Sequence, residues 1–193
     1  MTQTVIFDID DTVGDLKSRL QEIYRRETGN PEISWNDWTD YNAKDRYGIT
    51  SDQLSELFIA DNSLALMKPH DGLIEVTAIL KARGYNVEFV TARGWCPGAY
   101  DITKKWLDDH YVSYDRINIV PLFECKERVT RHIENIALFV DDRYDHCTAM
   151  MGSGRVKHTL LYSQPWNKVW HNALTPNFDV IDNLYDVLNY LPE

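Results

Sequence analysis

From residue 71 to residue 162 the chain alternates between helical patterns and short β-favouring runs, and that alternation leaves few folds open. DGLIEVTAILKARG (71–84) spaces its apolar residues for an amphipathic helix closed by Gly84, and NVEFVT (86–91) follows as a strand. PGAYDITKKWLDDH (97–110) reads as a helix, RINIVP (116–121) as a strand, KERVTRHI as a short helix and ALFV (137–140) as a fully apolar strand. Residues 145–151 turn helically, Gly152-Ser153-Gly154 forms a turn, VKHTLLY (156–162) is a further strand, and FDVIDNLYDVLNYL closes the chain as a helix. Strands separated by helices in this way predict a parallel sheet covered on both faces.

The first strand stands apart from the others. Val5-Ile6-Phe7 is a β-favouring run at the start of the chain, and the next strand pattern does not come until residue 86. Between them, DLKSRLQEIYRRET (15–28) is helical and closed by Gly29-Asn30-Pro31, and SDQLSELFIA (51–60) is helical with Ser51 as the expected N-cap. ISWNDWTDYNAKDRYGIT, between these helices, has no clean period. The expected organisation is an α/β core of residues 1–14 and 71–193, a Rossmann-like parallel sheet with helices on both faces. Residues 15–70 are expected as a small helical cap inserted after strand one.

Acids crowd the end of that first strand: Asp8, Asp10, Asp11 and Asp15 follow Phe7 directly. Ligands of open α/β sheets bind at the carboxyl ends of the strands. Like charges gathered in such a crevice repel unless a cation sits among them, and a divalent metal is the candidate. Asp8 and Asp10 are two apart and leave the same side of the backbone, whereas Asp11 points elsewhere and is assigned a turn role. One carboxylate can attack a phosphoryl group as a nucleophile while its neighbour protonates the departing oxygen and then activates water.

Composition excludes other classes. The 193 residues are 44% hydrophobic and 26% charged, with no apolar run near the roughly 20 residues of a membrane span. No basic-then-apolar leader opens the chain, and it is read as soluble and cytoplasmic. Cys96, Cys125 and Cys147 form no C-x-x-C pair, so neither a disulfide framework nor a zinc knuckle is expected. A net charge of -10 disfavours long nucleic acid and anionic membranes as partners. The six histidines show no ligand spacing, and no P-loop or dinucleotide fingerprint occurs. The run from Asp8 mimics an EF-hand start, but Val13 and Arg19 stand where that loop needs Gly and Glu. A phospho-acceptor receiver domain would carry its acceptor Asp on a middle strand and has no use for the insertion.

Asp8-Ile9-Asp10-Asp11-Thr12-Val13 resembles the first motif, D-x-D-x-[T/V], of the haloacid dehalogenase-like (HAD) phosphohydrolases. Phe89-Val90-Thr91-Ala92-Arg93 resembles the second motif, Lys126 the lone lysine of the third, and Phe139-Val140-Asp141-Asp142 with Asp145 the acidic fourth. The four stand in family order between residue 4 and about residue 150. The resemblance implies catalytic roles for Asp8, Asp10, Thr91 and Lys126. It also implies a Mg²⁺ site at Asp8, Asp10 (through its carbonyl) and Asp141, with Asp142 or Asp145 ligating directly or through water. Because an ester oxygen needs a proton and a halide does not, Asp10 favours a phosphatase over a dehalogenase.

The layout also resembles the 5'(3')-deoxyribonucleotidase and nucleotidase-like branch, through the cap length, TAR after the second strand, WLDDH with YDRINIV, and QPWNK (164–168). That implies hydrolysis of (deoxy)ribonucleoside monophosphates. It departs from the branch at Asp11, where Gly is common, and at Thr91-Ala92-Arg93, where a Thr-Ser-Pro loop is found. Trp35, Trp38 and Tyr41 either form the cap's own small core or stack on a base, and Arg93 either reaches substrate or makes an exposed loop salt bridge. Trp166 and Asn167 are read as a packed turn. A sugar phosphate or a nucleic-acid 3'-phosphate end is the alternative substrate, and a non-catalytic module binding metal and phosphate is the alternative class.

Overall fold

The structure, a computed structural model, describes residues 2–29, 39, 47–121, 124–171 and 178–192. Its main sheet holds β1 (Thr4–Phe7), β4 (Asn86–Thr91), β5 (Arg116–Ile119), β6 (Ile136–Asp141), β7 (Val156–Tyr162) and β8 (Asp179–Ile181). They lie in the order β5-β4-β1-β6-β7-β8 and every pairing is parallel. The sheet is covered on both faces, as the alternation predicts.

Two cores follow from the period of two along each strand. Val5, Phe7, Leu138 and Val140 face one layer, where α4 (Leu73–Ala82) supplies Leu73, Val76 and Leu80, and α5 (Ala99–Asp109) supplies Trp106 and Leu107. Ile6, Val90, Ile136 and Phe139 face the other, against Cys147 and Met150 of α7 (Tyr144–Gly152). Strands β1 and β6 are therefore apolar at consecutive positions, because each covers two hydrophobic layers. The strand order runs outward from β1 through β4 to β5, then restarts at β6 in the opposite direction. The crevice at that reversal lies over the ends of β1, β4 and β6, where Asp8, Thr91 and Asp141 fall.

A short two-stranded ribbon brackets the segment between β1 and the next strand of the main sheet. Gly14–Asp15 (β2) pairs antiparallel with Lys68–Pro69 (β3), bringing the chain back beside the point where it left. Between them lie α1 (Leu16–Thr28), α2 (Ser51–Ala60) and the single turn α3 (Ser63–Leu66). Asp15 caps α1 by accepting from the Ser18 N–H at 3.1 Å, and Gly29 closes it in the left-handed conformation at φ 68°. The cap of α2 is Thr50, one residue before the expected Ser51. Its hydroxyl accepts from the Gln53 N–H at 3.2 Å, and the Gln53 side chain accepts from the Thr50 N–H at 2.8 Å.

The C-terminal stretch corrects the sequence reading. Asp179–Ile181 is a sixth strand, with Leu161 opposite Val180 and Tyr162 opposite Ile181, and only Leu184–Tyr190 is helical, as 3-10 turns. Asp182-Asn183 separates the two, and the Asn183 carboxamide oxygen accepts from the Tyr185 N–H at 2.9 Å. Leu184, Val187 and Leu191 are buried at near-helical spacing, which is the signal that made the whole stretch read as one helix. Among the described residues, no helix is long and apolar enough to cross a membrane.

Candidate active site

Residues 8–14 form the tight loop on which the site is built. The Asp8 N–H continues the ladder to the Val140 carbonyl at 2.9 Å, and then the N–H groups of Thr12, Val13 and Gly14 all turn back to the Ile9 carbonyl. Asp11 adopts φ 61°, the left-handed region that Asp tolerates better than most side chains. Its carboxylate accepts from the Lys17 N–H at 2.8 Å and pairs with the Lys17 ammonium at 3.6 Å. The expected turn role of Asp11 thus has a structural form: it ties the loop to the first turn of α1.

Asp8, at the end of β1, meets Lys126, at the start of the one-turn helix α6 (Lys126–Val129). The Lys126 ammonium lies 2.5 Å from Asp8 Oδ1 and 2.7 Å from Asp141 Oδ2, and the lysine is 2% exposed. Asp141 ends β6, and its carboxylate also touches His146 Nδ1 at 3.1 Å and accepts from the Arg143 N–H at 2.9 Å. Asp142 hydrogen-bonds with Thr12 at Oδ1 and with the Trp166 indole at Oδ2. Asp145 faces outward, paired with Arg143.

Asp10 turns the other way. Its Oδ2 accepts from the Thr91 hydroxyl at 3.0 Å and from Arg93 Nε at 2.9 Å, while Oδ1 accepts from the second arm of the guanidinium at 2.6 Å. Arg93, expected among substrate contacts, is fully buried, and its remaining arm donates to the Thr103 hydroxyl at 2.7 Å. Asp10 and Asp8 both reach a cavity of about 240 Å³, whose floor includes Lys126 and whose wall includes Leu20, Leu54, Phe58 and Trp95. The Phe58 and Trp95 ring centroids are 6.2 Å apart. Trp35, Trp38 and Tyr41 lie outside the described residues.

Burial is the first influence on Asp8, Asp142, Asp141 and Lys126. It raises the Asp8 carboxyl to about 7; the Lys126 ammonium opposes the shift, and Asp141 and Asp10 add to it. Asp142 is pushed well above the usual carboxylate range by burial, then by Asp141 and Asp8. For Asp141 burial works upward, yet Lys126 and His146 outweigh it and hold the carboxyl well below the usual range. Lys126 is held above its ordinary value by Asp141 and Asp8 against the opposing effect of burial.

One carboxylate oxygen from each of Asp8, Asp141 and Asp142 lies within 4.8 Å of the other two. Three buried carboxylates against one ammonium leave negative charge, and an all-oxygen donor set suits a hard divalent cation. Sequence reasoning overlooked four contributors: Thr12 between the two acidic loops, His146 on Asp141, and Phe58 and Trp95 in the wall. Thr12 was visible inside its motif and His146 one turn beyond the acidic pair. The two rings carry no local signal, since only the fold brings Phe58 of α2 beside Trp95, which follows β4.

The fold is similar to that of solved structures described as HAD-superfamily hydrolases. A HAD-superfamily hydrolase (subfamily IA, variant 1) from Geobacter sulfurreducens PCA matches at a TM-score of 0.55 and 17% identity, covering 99% of this chain and 100% of its own. YfnB, a HAD-hydrolase of Bacillus subtilis whose structure is described as bound to magnesium, matches at a TM-score of 0.60 and 16% identity, with 100% and 99% covered. In sequence, the chain is 25% identical over 150 residues to "Putative nucleotidase YqfW" of Bacillus subtilis (strain 168), spanning 76% of this chain and 74% of the relative. No family model matches the chain.

Proposed function

We propose that the protein is a Mg²⁺-dependent phosphomonoesterase acting on nucleoside monophosphates through a phosphorylated Asp8. The observation that carries this reading is the Lys126 ammonium bridging Asp8 and Asp141 on the floor of a cavity that Asp10 also reaches. Asp8 attacks phosphorus, the Asp8 O–P bond forms and the ester P–O bond breaks. Asp10 gives its proton to the departing alkoxide, then takes one from the water that attacks the aspartyl-phosphate and releases inorganic phosphate. Thr91 and Arg93 hold the plane of the Asp10 carboxylate, so its reach toward the leaving oxygen is fixed before substrate arrives. Lys126 offsets the charge that gathers on the transferring group. Asp8, Asp141 and Asp142 would hold a magnesium ion, which would supply further positive charge against the transferring group.

The cap of residues 15–70 supplies the roof, and the nucleoside lies against Phe58 and Trp95, with Trp35, Trp38 and Tyr41 as further candidates to stack on the base. Arg143 and His146 also line the cavity. The named nucleotidase relative and the aromatic wall support a nucleotide over a sugar phosphate. The test is phosphate release from ribo- and deoxyribonucleoside monophosphates, sugar phosphates and a 3'-phosphorylated oligonucleotide, with Mg²⁺ and with Asp8→Asn in parallel. Release from nucleotides that vanishes in Asp8→Asn is expected. Release from sugar phosphates or oligonucleotide ends alone overturns the nucleotide assignment and keeps the chemistry, whereas binding without release by the wild type makes the protein a binding module.

A further inference from the structure

Residues 164–167, QPWN, do more than turn the chain after β7. Gln164, Trp166 and Asn167 are all buried, at 5%, 6% and 2% exposure. The Gln164 carboxamide donates to the Asp11 carbonyl at 2.6 Å, gripping the loop that carries Asp8 and Asp10. Asn167 donates to the Asp142 carbonyl at 2.8 Å and to the Tyr162 carbonyl at 2.8 Å, tying the second acidic loop to the end of β7. The Trp166 indole N–H donates to Asp142 Oδ2 at 2.9 Å. On the far side of Asp142, Thr12 completes the hold: its hydroxyl lies 3.3 Å from Oδ1 and 2.9 Å from the Asp142 N–H. The indole is itself seated, with the Lys17 ammonium 3.4 Å from its ring centroid.

The donors on Asp142 are uncharged, in contrast to Lys126 on Asp8 and Asp141. An indole N–H and a hydroxyl orient a carboxylate without themselves pairing its charge, so its oxygens stay directed at whatever cation sits among Asp8, Asp141 and Asp142. Carboxylate ligands are commonly fixed in this way by outer partners whose loss weakens metal binding. We propose that Trp166 and Asn167 are positioning residues for the cation site, orienting Asp142 and thereby setting how tightly Mg²⁺ is held. The proposal rests on the Mg²⁺ reading above.

Trp166→Phe keeps an aromatic face for Lys17 and removes the N–H together with the five-membered ring that carries it. Mg²⁺ is titrated calorimetrically into the metal-free wild type, Trp166→Phe, Asn167→Ala and Asp142→Asn, with folding checked by circular dichroism. The expected result is binding by the wild type, loss in Asp142→Asn, and affinity lowered roughly ten-fold or more in folded Trp166→Phe. Asn167→Ala carries the same expectation and stands in if Trp166→Phe does not fold. In phosphate release, the Mg²⁺ concentration for half-maximal rate rises by the same factor, whereas a purely structural role leaves it unmoved. Unchanged affinity in a folded variant beside a sensitive Asp142→Asn overturns this proposal alone; no binding by the wild type overturns the metal reading with it.

Discussion

At the scale of single residues, two carboxylates two positions apart meet opposite surroundings. Asp8 sits in a buried cluster against an ammonium, and Asp10 sits in the fork of a buried guanidinium. Asp8→Asn keeps the shape of the side chain and removes the nucleophile, so phosphate release falls on the order of 10⁴-fold or more while the fold persists. Arg93→Met removes the guanidinium from Asp10 and Thr103 and leaves Asp10 the Thr91 hydroxyl. Removing one partner of a buried pair costs about 3–5 kcal/mol, and because the Asp10 side chain is 21% exposed the expected loss is about 2–3 kcal/mol, measured by urea unfolding. Three of the four motifs were legible as short runs at strand ends, and Lys126, at the start of α6, through its order in the chain. The direction of Arg93 was not, since only the fold brings Thr103 and Asp10 to either side of it.

At the scale of elements, the strands were legible wherever both faces are covered, as at β6, and illegible at the edge. The edge strand β8 is three residues long and is followed at once by buried residues at near-helical spacing, so local pattern and tertiary pairing disagree there. The start of α2 shows a finer version of the same limit, for Thr50 and Ser51 are equally good caps in sequence and only the reciprocal bonds to Gln53 choose between them. Thr50→Ala is expected to cost about 1 kcal/mol in urea unfolding. Ser51→Ala, which removes no capping bond, is expected to cost no more than a few tenths.

At the scale of the whole molecule, the crevice stores unfavourable charge, and pH exposes it. Asp8 holds its proton to about 7 in the folded chain against 3.8 as a model group, and Asp11 to about 6. Folding therefore favours the protonated forms: the stabilisation is complete below pH ~4 and is lost as pH rises through 7. Asp142 adds with the same sign, and Asp141, held low, has its influence at more acid pH. The metal-free protein should thus have a lower Tm at about pH 8 than at about pH 5, and added Mg²⁺, which competes with these protons, should raise Tm more at the higher pH. Equal Mg²⁺ shifts at both pH values would remove the acidic cluster as its site.

The central claim is that Asp8 carries the phosphoryl group. Wild-type protein mixed with a nucleoside monophosphate and Mg²⁺, quenched in acid during turnover, digested and read by mass spectrometry, tests it directly. Phosphate on the peptide at Asp8, absent from Asp8→Asn, is the predicted result. Phosphate release by the wild type with no phosphorylated Asp8 at any quench time, and with Asp8→Asn still active, would contradict it.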